Sequence, residues 1–304
     1  MFIDGAAGTT GLEIADRLAG RPEFSLIVLD DAQRKNPHAR RDALHAADFA
    51  VLCLHDDAAR EAVAMADGSK VRIIDASTAH RVAPGWTYGF PELIGRDAVA
   101  NAARVANPGC YPTGFLGALA PLVRGGLLPA DWAYSCNAVS GYSGGGKALI
   151  ERFEEDTQIA WRGYGLGFSH KHVPEMRAFA GLTHAPLFAP AVIAAHRGMV
   201  VEVPLSLAAI PGAAAPAALR AELERLFAGS PVVRVVDAPG DGELLLRTTM
   251  APWDGLELMV LASADGTQAR LVARLDNLGK GASGAAVQSL NLMAGLPETA
   301  GLRL

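Results

Sequence analysis

Cysteine is scarce. The chain of 304 residues has three, Cys53, Cys110 and Cys136, an odd count without a CxxC pair. That excludes a disulfide framework and argues against a structural zinc cluster. Aromatic residues make up 6% and charged residues 19%, and no apolar run approaches the ~18 residues of a membrane span. Basic charge is not in excess either: Lys+Arg 27 against Asp+Glu 32 leaves a net charge of −5. Such a balance gives no overall attraction to nucleic acid or to an anionic membrane. Met1-Phe2-Ile3-Asp4 has neither the basic start nor the long apolar stretch of a secretory signal, so the expectation is a cytoplasmic protein. Apolar residues are plentiful, at 50% with a mean hydropathy of +0.20. At roughly 150 residues per domain, this is material for about two hydrophobic cores rather than a disordered chain.

The first hundred residues alternate short apolar runs with helical patterns. Phe2-Ile3, Leu26–Leu29, Phe49–Leu54 and Val71–Ile74 read as strands, with helices near Thr10–Leu18 and Asp56–Ala66. Near-continuous apolar strands alternating with helices predict a parallel sheet covered on both faces. After about Asn107 the pattern changes. Strand-like runs follow at Tyr134–Ser140, Met199–Leu207, Val232–Val236, Glu257–Ser263 and Ala269–Leu275, the last two joined across Asp265-Gly266, a hairpin signal. One amphipathic helix, Pro216–Ala228, stands among them, and a helix at Gly284–Met293 closes the chain. The expected fold class is therefore α/β: a Rossmann-like, doubly wound cofactor domain followed by an α+β domain with largely antiparallel strands.

Gly5-Ala6-Ala7-Gly8-Thr9-Thr10-Gly11 lies directly between the first strand and the first helix. Glycines there let the backbone turn tightly and approach a pyrophosphate, whose charge is met by the N–H groups of the helix N-terminus. The spacing is GxxGxxG, a variant of the dinucleotide fingerprint. Gly5, Gly8, Thr9, Thr10 and Gly11 are the candidate cofactor-binding residues. Asp30, placed to bind a ribose 2′-hydroxyl, favours NAD; Arg34, Lys35, Arg40 and Arg41 in the same loop favour a 2′-phosphate. Both readings stay open on the residues alone, with a slight lean to NADP, beside the plainer one of a solvated basic loop.

Asn107-Pro108-Gly109-Cys110-Tyr111-Pro112-Thr113-Gly114 is a rigid turn leading into an apolar helix that begins at about Thr113. A cysteine beside a helix N-terminus is stabilised as thiolate, whereas Cys53 and Cys136 lie inside apolar strands and read as core. A thiolate needs a proton-handling partner. His170-Lys171-His172-Val173-Pro174-Glu175 supplies two histidines and a carboxylate at the start of a helix. Histidines satisfied by solvent, a metal set without a clear further ligand, and an acid/base histidine beside Cys110 oriented by Glu175 all compete for this segment; no metal is expected. Gly141–Lys147 nearly matches a phosphate loop, yet Ala148 lacks the hydroxyl that would hold magnesium. A backbone-rich loop contacting substrate or nicotinamide fits better.

Four segments together, Asn107–Gly114 (NPGCYPTG), Asn137–Lys147 (NAVSGYSGGGK), His170–Glu175 (HKHVPE) and Asp276–Gly284 (DNLGKGASG), resemble the N-acetyl-gamma-glutamyl-phosphate reductase family of arginine biosynthesis, closest to its shorter, type 2 form. The resemblance runs from about Met1 to Asn291. It implies NADPH-dependent reduction of N-acetyl-L-glutamyl 5-phosphate to the semialdehyde, with Cys110 as nucleophile, His172 as acid/base and Glu175 orienting it. It further implies that Asn277 contacts the nicotinamide amide. From Asp75–Arg81 at the domain junction, Ser77 would contact cofactor or substrate and Arg81 would pair the substrate phosphate or carboxylate, with Asn107, Ser140 and Gly141 also on the substrate. Residues 1–107, completed by a helix over 284–304, would bind NADP(H), and residues 108–283 would form the catalytic domain. A homo-oligomer, dimer or tetramer, with a small-molecule substrate and neither nucleic acid nor membrane as partner, is expected. Two departures stand out: the first strand starts almost at Met1, and His55 replaces an expected proline after the third strand. Two rivals remain beside this reading. One keeps the mechanism with an aspartate-semialdehyde or aminoadipyl-type substrate; the other is a catalytically silent NADP-sensing protein. A cofactor-free cysteine hydrolase would leave the Gly5–Gly11 turn unexplained.

Overall fold

The computed structural model describes residues 1–304. In chain order its elements are β1 (Phe2–Asp4), α1 (Thr9–Leu18), α2 (Pro37–Ala46), β2 (Phe49–Leu52), α3 (Asp56–Met65), β3 (Arg72–Asp75), β4 (Thr87–Tyr88), α4 (Pro91–Ile94), α5 (Arg96–Ala100), β5 (Arg104–Ala106), α6 (Cys110–Arg124), β6 (Ser135–Gly141), α7 (Lys147–Glu155), β7 (Trp161–Gly163), α8 (Val173–Ala180), β8 (Leu187–Ile193), β9 (Met199–Leu205), α9 (Pro216–Phe227), β10 (Val233–Val235), β11 (Leu256–Ala262), β12 (Ala269–Leu275) and α10 (Gly284–Met293). The chain forms two compact units, Met1–Gly109 with Ala282–Leu302, and Cys110–Gly281 with Arg303–Leu304. The last two residues, expected with the first unit, thus fall in the second. There Arg303 and the buried Asp254 exchange hydrogen bonds: the Asp254 N–H donates to the Arg303 carbonyl at 2.7 Å, and the Arg303 N–H to Asp254 Oδ2 at 2.9 Å.

The first unit is built on a five-stranded sheet in the order β1-β2-β3-β5-β4, parallel throughout. Side chains alternate along each strand, so register assigns whole rows to one face. Ile3, Val51, Ile74 and Val105 pair laterally and form one row; it packs against Ile14 and Leu18 of α1, Val99 of α5, and Val287, Leu290 and Met293 of α10. Phe2, Ala50, Leu52 and Ile73 face the other way, against Ala43 and Leu44 of α2 and Ala62 and Val63 of α3. Helices on both faces make this the doubly wound sheet expected, and they explain why its strands are apolar on both sides.

Two local expectations fail here. Leu26–Leu29 is not a strand: it makes one bridge, Ile27 to Phe2, and Val28 is exposed. β1 has only three residues before Gly5 turns the chain away, too short a partner for a ladder. The supposed basic loop ends early, because α2 takes Arg40 and Arg41. Asn36 caps that helix, its side-chain oxygen accepting from His38 N at 2.9 Å, and Pro37 occupies the first turn.

The second unit carries a seven-stranded sheet in the order β10-β11-β12-β9-β6-β8-β7. It is mixed: β10–β11 and β6–β8 are parallel, and the other four pairs antiparallel. β11 and β12 are joined as expected across Asp265-Gly266, with Gly266 at φ +70°. β8 went unread because Pro190 interrupts it. The proline is tolerated because its nitrogen lies on the same side as its carbonyl, which accepts from Tyr164 N at 3.2 Å, and on that side β7 pairs only with Ala191–Ile193, while β6 pairs along the other side. α6 is buried from Tyr111 to Val123. It lies so close to the sheet that a Cβ on Gly114 would stand 2.8 Å from Val201 Cγ2.

Candidate active site

Parallel strands release the chain at one edge of the first unit's sheet. Gly5–Gly11 follows β1, Cys53–His55 follows β2, Ala76–Arg81 follows β3, and Asn107 follows β5. This is the edge where open parallel sheets bind ligands. The three glycines of the turn have different reasons. Gly5 adopts φ +87°, and a Cβ there would lie 2.3 Å from the Cys53 carbonyl oxygen; one on Gly11 would lie 2.5 Å from the Gly5 oxygen. Gly8 is not so confined: a Cβ would meet nothing nearer than 3.4 Å. It is the N-cap of α1 and supplies no side-chain cap, so the first-turn N–H groups of α1 are left to a ligand or solvent. A tight turn with one uncrowded glycine beside a helix N-terminus fits a diphosphate.

Asp4, at the end of β1, is buried and held by Arg40, whose Nη2 donates to Oδ2 at 2.8 Å and Nε at 3.0 Å. Arg40 therefore braces the glycine turn from below. Asp30 is exposed, and its Oδ1 accepts the N–H groups of Ala32 at 3.0 Å and Gln33 at 2.8 Å. Arg34 and Lys35 follow on the surface, with Arg34 Nε 3.2 Å from Asp31. His55 takes the N-cap position of α3 without a side-chain bond.

Beyond β3, the wholly buried Asp75 carboxylate receives Ser77 N at 2.9 Å, Ser77 Oγ at 2.7 Å and His80 Nδ1 at 2.6 Å. Arg81 is buried and donates to the carbonyls of Asn107 (3.0 Å) and Ala76 (3.3 Å), tying the loops after β3 and β5 together. Asn107 Nδ2 donates to the Ala282 carbonyl at 3.0 Å, whereas its Oδ1 is buried with no hydrogen-bond partner.

In the second unit Cys110 is the first residue of α6, three residues earlier than the apolar pattern indicates, and half-buried. Gly281 approaches it closely: a Cβ there would stand 2.9 Å from the Cys110 Cβ. His172 precedes α8 and Glu175 lies in its first turn, both buried. The His172 N–H donates to His170 Nδ1 at 3.1 Å, and the two rings meet edge to face at 4.7 Å. Tyr111 lies 5.9 Å from the His172 ring, and its hydroxyl donates to the Ala191 carbonyl at 2.8 Å. Burial, reinforced by Tyr164 and Cys110, holds the Tyr111 phenol well above the ordinary tyrosine range; Tyr164 is pushed up to about 12, chiefly by burial. Both tyrosines are therefore held neutral, with the Tyr111 proton committed to Ala191. Residue types alone did not single them out, although Tyr111 adjoins the cysteine. Cys53 is pushed up to about 12 by burial with Asp75 and Asp4 nearby, and Cys136 is raised too, by burial and Glu202; neither is a nucleophile.

Ser140, Gly141 and Asn277 come together in this unit. Gly141 crosses the chain at Arg197 so closely that a Cβ would lie 2.7 Å from its backbone. Asn277 accepts from Gly198 N at 3.0 Å and donates to Ser143 at 2.9 Å, while Ser140 Oγ donates to the Gly141 carbonyl at 3.0 Å. The near-phosphate loop is a 3-10 turn, Tyr142–Gly145, running into α7.

Two family models match this chain: the semialdehyde dehydrogenase NAD binding domain over residues 2–102 and the semialdehyde dehydrogenase dimerisation domain over residues 110–277. Aspartate semialdehyde dehydrogenase II from Vibrio cholerae, complexed with ASA, shares the fold with a TM-score of 0.73 at 16% identity, covering 97% of each chain. Aspartate semialdehyde dehydrogenase with NADP from Candida albicans does so with a TM-score of 0.65 at 14% identity, covering 96% of this chain and 97% of that one. Among curated proteins, N-acetyl-gamma-glutamyl-phosphate reductase from Brucella ovis is 48% identical over 97% of this chain and 98% of its own length. The protein of the same name from Trichormus variabilis is 45% identical over 99% of this chain and 98% of its own. Identity at this level along almost the whole length of both chains places the protein in the N-acetyl-gamma-glutamyl-phosphate reductase family.

Proposed function

We propose that the protein reduces N-acetyl-L-glutamyl 5-phosphate to N-acetyl-L-glutamate 5-semialdehyde and inorganic phosphate, with NADPH as reductant, as a step of arginine biosynthesis. The observation that carries this reading is Cys110 at the start of α6, next to Tyr111, whose ring lies 5.9 Å from that of the buried His172, in a chain of this family. Negative charge on sulfur is favoured at a helix N-terminus. Cys110 Sγ attacks the acyl carbon, the bond from that carbon to the phosphate oxygen breaks, and phosphate departs, leaving the acyl group on sulfur as a thioester. NADPH, when bound, supplies the hydride that takes the acyl group to the aldehyde level. His172 protonates the hemithioacetal oxygen as it forms and takes the proton back as the C–S bond breaks, restoring the thiolate. Glu175 orients His172.

Gly5, Gly8, Thr9, Thr10 and Gly11 would hold the diphosphate, and the uncrowded Gly8 supports that assignment. Arg34 and Lys35 would meet the 2′-phosphate; Asp30, with Oδ1 occupied by two backbone donors, is poorly placed to favour a 2′-hydroxyl. Asn277 would meet the nicotinamide amide, Arg81, Asn107, Ser140 and Gly141 would serve substrate, and Ser77 stands where it would contact cofactor or substrate. The orphaned Asn107 Oδ1 supports a donor on that substrate, while Arg81 contributes by fixing the Asn107 loop. No helix is long and apolar enough to cross a membrane. A cytoplasmic homo-oligomer, dimer or tetramer, assembled through the dimerisation domain, completes the reading.

The test runs the reaction in reverse: NADPH absorbance from N-acetylglutamate semialdehyde, NADP and phosphate, with aspartate semialdehyde in parallel and Cys110→Ser as control. Phosphate-dependent signal with the acetylated aldehyde, lost in Cys110→Ser while NADPH binding persists, is expected. Faster turnover of aspartate semialdehyde would reassign the substrate, and turnover by Cys110→Ser would overturn the covalent route.

A further inference from the structure

His80 lies outside the residues assigned above, yet its surroundings are unusually defined. Its Nδ1 is 2.6 Å from Asp75 Oδ2, and its ring stacks on Trp86 at 4.2 Å with planes 13° apart. Asp75 is the last residue of β3 and has no solvent exposure, so its charge depends on the donors around it. Two of these come from Ser77, at 2.9 Å and 2.7 Å, and the third is His80. A buried carboxylate that already accepts from Ser77 fixes the histidine tautomer: the proton is on Nδ1. Ser77 Oγ in turn accepts the Ala79 N–H at 3.1 Å. The loop from Ala76 to His80 is thus closed at both ends on one carboxylate, with Trp86 backing the ring.

The loop also has a definite place on the sheet. β3 is two strands from β1 in the order β1-β2-β3, and both release their loops at the same edge. At about 4.8 Å per strand, Ser77 stands roughly 10 Å along that edge from the glycine turn. The chain leading to Arg34 and Lys35, which would meet the 2′-phosphate, bridges β1 through Ile27 on the side away from β2, so the adenosine half would run that way and the nicotinamide riboside half toward β3.

We propose that His80 is a positioning residue for the nicotinamide half of the dinucleotide: by donating to Asp75 it holds the Ser77 loop in the shape that half requires. The inference rests on the dinucleotide reading above. His80→Phe keeps a ring against Trp86 and removes the donor, whereas His80→Asn places an amide N–H where Nδ1 stood and gives up the stacking. Ser77→Ala removes the loop's own hydroxyl donor with minimal change of shape.

The experiment measures dissociation constants of these variants for NADPH and for adenosine 2′,5′-bisphosphate, which lacks the nicotinamide half. His80→Phe and Ser77→Ala are expected to weaken NADPH about tenfold, as for loss of one hydrogen bond to a charged group. Affinity for the bisphosphate is expected to stay within about twofold, and His80→Asn to recover most of the NADPH affinity. Equal weakening of both ligands, or a His80→Asn variant as weak as His80→Phe, would overturn the inference, the first by showing general damage and the second by showing that the bond to Asp75 is not the cause. If His80→Phe does not fold, the Ser77→Ala ligand pair decides alone. Unchanged variants on a wild type that binds NADPH overturn this inference only; a wild type that binds neither ligand overturns the dinucleotide reading as well.

Discussion

Substituting alanine in turn at Gly5, Gly8 and Gly11 separates what the turn needs to fold from what it needs to bind. At Gly5 the penalty is double: φ is +87°, and the new Cβ would lie 2.3 Å from the Cys53 carbonyl oxygen. A left-handed backbone costs a side-chain-bearing residue roughly 1–2 kcal/mol and forced overpacking about 1–3 more, so a loss near 3 kcal/mol is expected. At Gly11 the obstacles are the Gly5 oxygen at 2.5 Å and the Ala6 Cα at 2.8 Å, both main chain and neither able to rotate aside; about 2–3 kcal/mol is expected. Gly8 differs. Its φ is −81°, and the nearest atom to a Cβ is 3.4 Å away. Alanine is a poorer N-cap than glycine by up to about 1 kcal/mol, but it restricts the unfolded chain by about 0.4–1 kcal/mol, and the two nearly cancel. Its methyl group would stand where a diphosphate approaches α1. Loss of one charge-assisted hydrogen bond, about 1.5–3 kcal/mol, weakens NADPH roughly 10- to 150-fold. Urea denaturation and fluorescence titration with NADPH give both quantities for each variant. A Gly8→Ala protein that is as destabilised as Gly11→Ala, or that binds NADPH like the wild type, would refute the argument.

Two further outcomes are expected. Arg34→Ala with Lys35→Ala should weaken NADPH at least about tenfold more than NADH, since two exposed cations lose a dianionic phosphate in one ligand only; equal losses in a titration of both would remove the 2′-phosphate role. Burial raises the Tyr111, Tyr134 and Tyr164 phenols, Tyr164 to about 12, so in the folded protein at pH 10.5 all three stay largely protonated. Because the folded values exceed those of the unfolded chain, their contribution to stability is complete below about pH 10 and is lost as pH rises through the folded values. An unfolded tyrosine is about three quarters ionised at pH 10.5, so phenolate absorbance there should fall about two phenolates short of the urea-unfolded protein, and equal absorbance with the fold intact would contradict their burial.

The doubly wound sheet was legible because burial on both faces makes its strands near-continuous apolar runs, and Phe49–Leu52 and Arg72–Asp75 fall within a residue or two of their reading. Local pattern fails where pairing depends on distant chain. Leu26–Leu29 is as apolar as a strand, yet a three-residue β1 offers it no ladder. Leu187–Ile193 is a strand despite Pro190 because β7 is short. Cys110 and the His170–Glu175 segment stood out through residue type and spacing. Arg40 read as one of four loop cations open to a 2′-phosphate or to solvent, because only the fold places it against Asp4, thirty-six positions earlier. Tyr164 was not legible, since nothing in its neighbours indicates that it shares the thiol's surroundings.

Asn277 shows how a short motif acts through its scaffold. Gly198 offers a backbone N–H, so the side-chain oxygen of Asn277 must face it, which turns Nδ2 toward Ser143. One Nδ2 proton goes to Ser143 Oγ, and the other has its direction set by the first two bonds. Gly144 lies over that nitrogen and carries no side chain to cover it; a Cβ there would stand 3.3 Å from Nδ2. Asp276 meanwhile binds Arg197 at 2.9 Å and the Leu278 N–H at 2.9 Å, holding the segment on either side of the asparagine. A glutamine at 277 would keep the chemistry and lose the geometry, because an added methylene cannot reach Gly198 and Ser143 together from the same backbone. The rigidity that makes Asn277 look structural also gives its remaining N–H a fixed aim, so a structural role and the proposed contact with the nicotinamide amide do not exclude one another.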